Sequence, residues 1–240
     1  MSTYLQLCQK LKRDSAIAGP TLTPTTVVNQ TGVLEKLVGW VSDSYRDIQM
    51  RHPNWRWMRS KFMVLTTANE DTYAFGACTD TNDSALIARF WRWWPQDRLD
   101  PFRIYLTSGG QGGEYFLIWI PYEDFRRIYE FGVQTTTTGQ PIHVSVDDLD
   151  RIVVGPNPGT TQYTISGKYQ RGPQILAANG DVPEFSVNYH DLIVYYAMQR
   201  YAYNSVAPEV LTAAKLQTSR QLRALEAAQL PGIRLGGPLA

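Results

Sequence analysis

Asp147, Asp148 and Asp150 form a dense carboxylate cluster that raises the question of a calcium or magnesium ion. Calcium loops spread more oxygen ligands around a glycine bend and close on a bidentate glutamate, which this stretch lacks. A polar hairpin turn is the expected structure. Gly109-Gly110 and Gly112-Gly113 invite a phosphate cradle, but no lysine-serine or lysine-threonine pair follows and the next segment reads as strand. The Gly167-Lys168 pair also sits inside a strand pattern. Cys8 and Cys78 have no metal-ligand or nucleophile signature, and His52, His143 and His190 lie far apart in sequence. No G-x-S-x-G elbow accompanies them. No catalytic group, metal site or cofactor is therefore expected, and the chain reads as a non-enzyme.

Two runs interleave arginine with aromatic rings, Arg51 to Arg59 and Arg89 to Trp94. Rings beside cations suit single-stranded nucleic acid. They suit protein interfaces equally well, where Trp, Tyr and Arg are the usual anchors. Charge weighs between the two. Lysine plus arginine is 23 and aspartate plus glutamate 22, a net charge of +1, which excludes a binder driven by bulk positive charge. Candidate interface residues are Arg46, Arg51, Trp55, Trp57, Trp91, Trp93 and Trp94. With 43% hydrophobic residues over 240 positions, the chain has enough apolar material for a sizeable core without staples. Two isolated cysteines point to a reduced compartment. The sequence shows no signal peptide and no apolar run long enough to span a membrane, so neither export nor a membrane is expected.

The elements that must position these residues fall into three blocks. Residues 2–14 read as a short amphipathic helix with Leu5, Cys8 and Leu11 on one side, followed by a loop over 17–29. Residues 31–51 read as a helix capped by Thr31, with Leu34, Leu37, Val38, Val41, Tyr45 and Ile48 as its stripe. His52-Pro53 ends it, because a residue before proline avoids helical angles. From 55 to about 185 the pattern is strands and turns. Phe62–Thr67 is a strand, 102–120 a hairpin, and Ile142–Val146 with Arg151–Val154 a second hairpin, with Gln162–Gln170 as a third strand on that side. A short helix between Pro121 and Gly132 interrupts them. Helices return at 189–204, capped by Asn188 and carrying Leu192, Ile193, Tyr196, Arg200 and Tyr203 on one side, and at 208–228. The short link 205–207 makes them an antiparallel pair.

The expected fold class is thus α+β. A helical bundle from 1–54 and 187–228 carries an inserted antiparallel β-rich domain, 55–186, and an extended C-terminal arm, 229–240.

The run from Thr31-Gly32-Val33-Leu34-Glu35 through Trp40, Asp43, Arg46 and Asp47-Ile48-Gln49 to Arg51-His52-Pro53-Asn54-Trp55 resembles the head–tail adaptor (connector) proteins of tailed bacteriophages. So do Phe102-Arg103-Ile104-Tyr105, Tyr122 to Arg126, Gly139-Gln140-Pro141, Gly155 to Pro158, Tyr163 to Tyr169, His190 to Met198 and the terminal Leu-Gly-Gly-Pro-Leu-Ala. The order of these motifs carries the likeness, since each alone is structural. Stretches 68–101 and 133–138 have no counterpart in it. The resemblance implies a homo-oligomeric ring, commonly of twelve, that joins the portal to tail and nozzle proteins in the virion neck after assembly in the host cytoplasm. It also implies a portal-binding arm, here Leu230, Pro231, Ile233, Leu235 and Leu239. DNA would pass through such a ring without specific binding, in keeping with the low charge of each copy. The competing readings are a nucleic-acid-binding accessory protein using the Arg/Trp runs and a virion-associated cell-wall hydrolase, for which no acid–base pair is in place.

Overall fold

The computed structural model describes residues 1–15, 23–94, 101–132 and 134–230. The chain divides into two compact units: Met1–Met58 with Pro173–Ala240, and Arg59–Gly172. Residues 173–186, which the sequence pattern grouped with the strands, belong to the first unit. Hydrogen bonds explain why. The backbone N–H of Gln174 donates to Gln49 Oε1 at 2.8 Å, and the Tyr45 hydroxyl donates to Gln174 Oε1 at 2.8 Å.

Among its described residues the first unit has four α-helices: α1 (Tyr4–Ser15), α2 (Gly32–Arg51), α4 (His190–Ser205) and α5 (Pro208–Gln229). Leu7, Cys8 and Leu11 of α1 are buried, whereas Leu5 is half-buried, so the apolar stripe is rotated from the expected one. Leu37, Val41, Tyr45 and Ile48 are buried on α2 as their spacing requires. Thr31 precedes that helix in an extended conformation but makes no side-chain cap. His52 is likewise extended before Pro53, and the helix stops there. Helix α4 departs from a single stripe: His190, Leu192, Ile193, Val194, Ala197, Met198 and Ala202 are all buried. It packs against α1, α2 and α5, and a helix covered on several sides must be apolar on several sides. Tyr203, expected in its stripe, is exposed, and Arg200 reaches Asp47 Oδ2 at 2.5 Å and Asp43 at 3.5 Å. Asn188 provides no cap, because a tight turn at Val187–Tyr189 leads directly into the helix. Helix α5 buries only a narrow seam, Ala214, Thr218, Leu222 and Leu225.

The second unit is a β-sandwich. One sheet has six strands among the described residues. β3 (Thr79–Asp80), β1 (Arg59–Leu65), β10 (Tyr163–Gln170), β5 (Arg103–Leu106) and β6 (Tyr115–Phe116) lie in that order, with β4 (Arg92–Trp93) also on β10. The other orders β2 (Thr72–Tyr73), β9 (Ile152–Gly155), β8 (His143–Val146) and β7 (Ile118–Trp119). Phe62, Ile104, Ile165 and Trp93 from the first sheet share one core with Tyr73, Val144, Ile152 and Val154 from the second. Gly167 is required there: a Cβ on it would lie 2.4 Å from the Phe102 ring.

Two expectations for this unit are corrected. Residues 162–170 join β1 and β5 in the other sheet rather than extending the 142–154 hairpin. The 102–120 hairpin is real only through Phe116; Ile118–Trp119 then crosses over and pairs in parallel with β8, so the strands are not all antiparallel. The connection from β7 to β8 carries α3 (Tyr122–Phe125), which continues as a wider turn over Arg126–Glu130. A parallel pair needs such a long crossover. Phe125 and Tyr129 from it pack on Val153.

Candidate interaction surfaces

The residues with chemical potential are held in structural roles. Asp147 is buried and its carboxylate accepts from the backbone N–H groups of Leu149 and Arg151, and from Arg151 Nε at 2.6 Å. That carboxylate shapes the turn between β8 and β9. Among the described residues, no group of three or more His, Cys, Asp or Glu is placed to hold a metal ion. Cys8 and Cys78 are buried, and burial pushes both thiols up to about 12, far from thiolate reactivity at neutral pH. His143 Nδ1 meets the Tyr129 hydroxyl at 2.7 Å, His190 Nε2 meets the Phe185 carbonyl at 3.1 Å, and His52 Nε2 meets Glu226 at 2.8 Å. Burial lowers the pKa of His143 and His190, which keeps both rings neutral at pH 7. The Gly109–Gly113 stretch forms two successive tight turns, with Gly110 at φ 66°, where a side chain would be strained.

The arginine–tryptophan runs divide by burial. Trp55 is fully buried in the first unit, and its Nε1 donates to the Ile48 carbonyl at 3.0 Å. Trp93 is 6% exposed and donates through Nε1 to the Asp150 carbonyl at 2.7 Å. Both rings are core, which removes them from the candidate surface. Trp57 is half-buried, stacked on Trp55 with centroids 4.3 Å apart. Trp91 and Trp94 are half-buried as well. The guanidinium groups of Arg59 and Arg92 lie 4.4 and 4.7 Å from the Trp94 centroid. That ring already holds two cations, which leaves poor access for a stacked base and counts against the single-strand reading. Arg46 is exposed on α2, and Arg51 reaches Glu226 at 3.4 Å. Leu230 is half-buried at the end of α5, while Pro231, Ile233, Leu235 and Leu239 lie outside the described residues.

Sequence reasoning missed a sheet face. In β1, Ser60, Phe62 and Val64 turn into the sandwich while Lys61, Met63 and Leu65 are exposed on the other side. The register carries this face across the sheet: Met63 pairs with Ser166, Ser166 with Arg103, and Arg103 with Phe116, which is 60% exposed. Arg103 covers part of that ring at 5.0 Å and holds Glu114 at 3.2 Å. The alternation Arg-Ser-Lys-Phe-Met-Val-Leu was the available signal, had the strand been started at residue 59 instead of 62.

These are the features of a scaffold with exposed apolar and cationic faces. A family model described as the SU10 adaptor protein matches residues 2–239. The chain belongs to the SU10 adaptor family. No curated relative matches it by sequence. Membership makes the adaptor a viral structural protein with a general head–tail connecting role, and portal and tail as its broad class of partners. No described helix of the adaptor is long and apolar enough to cross a membrane.

Proposed function

We propose that the adaptor is one subunit of a homo-oligomeric, dodecameric ring that joins the portal to the tail and surrounds the DNA channel in the virion neck. The match to the adaptor family across 2–239 carries this reading. The role of each subunit is mechanical: it catalyses nothing and takes no cofactor. Neighbouring copies meet through the outer sides of α2, where Arg46 and Arg51 lie, and of α4 and α5. The narrow buried seam of α5 supports this, because most of that helix surface is left for another contact. Trp57, Trp91, Trp94 and the Lys61–Phe116 sheet face meet a neighbouring subunit or a tail protein. DNA passes without specific binding, as a net charge of +1 per copy favours.

The arm 229–240 is the portal anchor. Gln229 and Leu230 close α5, and the ten residues after them would span up to about 33 Å if extended. Deleting 229–240 should leave far-ultraviolet circular dichroism unchanged and abolish co-purification with portal. Retained co-purification would remove the arm from this role.

A further inference from the structure

We propose that Asn179–Gly180 is a site of spontaneous covalent modification, where the fold promotes cyclisation of the asparagine to a succinimide that opens to isoaspartate. This is the one Asn-Gly pair in the sequence. It occupies the middle of a turn closed by the Asp181 N–H donating to the Ala178 carbonyl at 3.0 Å, and both residues are exposed. The Asn179 side chain is held in one orientation. Its Oδ1 accepts from the backbone N–H of Val27 at 2.7 Å and faces the Thr26 hydroxyl at 3.2 Å. A backbone N–H needs an acceptor, so the atom at this position is the oxygen and not the nitrogen of the amide.

Two donors on Oδ1 draw electron density from Cγ. They also stand where negative charge collects when a nucleophile adds to that carbon. The nucleophile is the next residue's nitrogen. Gly180 leaves it unshielded: a Cβ built there would meet nothing within 4 Å, and its N–H donates to no acceptor among the described residues. In the first step the Gly180 nitrogen bonds to Asn179 Cγ and the Cγ–Nδ2 bond breaks. The proton lost by the Gly180 nitrogen ends on the departing nitrogen, which leaves as ammonia. In the second step water adds across one of the two imide C–N bonds, hydroxyl to carbon and hydrogen to nitrogen. Addition at Cγ gives aspartate. Addition at the main-chain carbonyl leaves the chain running through Cβ and Cγ, an isoaspartate with one extra main-chain carbon.

The extra carbon falls where the N-terminus of α1 is held. The first N–H groups of a helix have no partner within it. Here Tyr4 N–H donates to the Asp181 carbonyl at 2.7 Å and Leu5 N–H to the Asn179 carbonyl at 3.3 Å. The Asp181 carboxylate in turn accepts from Ala177 and Ala178 N–H at 2.7 and 2.8 Å. Lengthening the backbone inside this turn displaces both carbonyls and uncaps α1, so the modification releases an N-terminal segment as the protein ages.

The test is to age the full-length chain at mildly alkaline pH, both folded and held unfolded in denaturant. Peptide mapping then follows the amide-to-acid mass change at Asn179, and isoaspartyl methyltransferase labelling separates isoaspartate from aspartate. The folded chain should convert on the order of ten-fold faster than the unfolded one. Thr26→Val should slow the folded rate, Thr26→Ser should restore it, and Gly180→Ala, for which there is room, should slow both states. Hydrogen exchange at Tyr4 and Leu5 should quicken in the aged form. A folded rate equal to or below the unfolded rate would overturn the proposal, because the turn would then protect the asparagine. That comparison requires no variant to fold.

Discussion

Asp80 is a buried carboxylate that collects donors from β1, from β10 and from its own turn. It accepts from the Ser60 hydroxyl at 2.7 Å, the Tyr169 hydroxyl at 2.6 Å and the Asn82 N–H at 2.8 Å. Burial alone would raise its pKa, but the hydrogen bonds from Tyr169, Asn82 and Ser60 outweigh that and lower it. The lowered folded pKa means that Asp80 stabilises the fold above the ordinary carboxylate value of about 3.9. This stabilisation fades as pH falls through the folded pKa, because protonation removes the charge those donors bind. Asp80→Asn should therefore cost about 1.5–3 kcal/mol in urea unfolding at pH 7, and the gap to wild type should narrow at pH 3. A gap of the same size at both pH values would contradict this role. Nothing in the sequence singled out Asp80. Two of its partners, Ser60 and Tyr169, are 20 and 89 positions away, and only the pairing of β1 with β3 and β10 brings them together.

At the scale of elements, the α4–α5 turn contains a backbone feature with a measurable consequence. Val206 ends α4 at φ 51° and ψ 49° and is 85% exposed. Left-handed geometry suits glycine at a helix C-terminus, and for a residue with a Cβ it costs about 1–2 kcal/mol. Val206→Gly removes that strain and little packing. The looser unfolded chain offsets part of the gain, so the net stabilisation should be about 1 kcal/mol, read as a higher unfolding midpoint. A lower midpoint would mean that the valine makes contacts its exposure does not suggest. The helices around this turn were legible because their periodicity is local: α2 and α5 fall within a residue or two of where apolar spacing and Pro53 or Pro208 place them. The sandwich was not. Five of its strands among the described residues are two residues long, too short for any alternation, and the partner of β10 is chosen by contacts about a hundred residues away. The tryptophans were ambiguous for a different reason. Aromatic rings serve cores and interfaces equally, so residue type alone could not separate Trp55 and Trp93, which are buried, from Trp91 and Trp94, which are half-buried.

At the scale of the whole molecule, the adaptor reading requires that copies recognise each other without unfolding. Arg46 suits a probe of that contact: it is exposed on α2, and no hydrogen bond or ion pair holds it among the described residues. Arg46→Glu should leave the unfolding midpoint within the spread of ordinary surface changes, about 0.5 kcal/mol. It should weaken assembly at low salt more than at high salt, since exposed charges are screened over roughly 10 Å at 0.1 M. Unchanged assembly would take the outer side of α2 out of the ring contact. The central claim, that this adaptor closes into a ring on the portal, is tested most directly by native mass measurement of the particle formed when the full chain is mixed with portal. The account predicts a single species carrying one closed ring of about twelve adaptor copies per portal. A spread of substoichiometric species, or portal that remains bare at saturating adaptor, would contradict it.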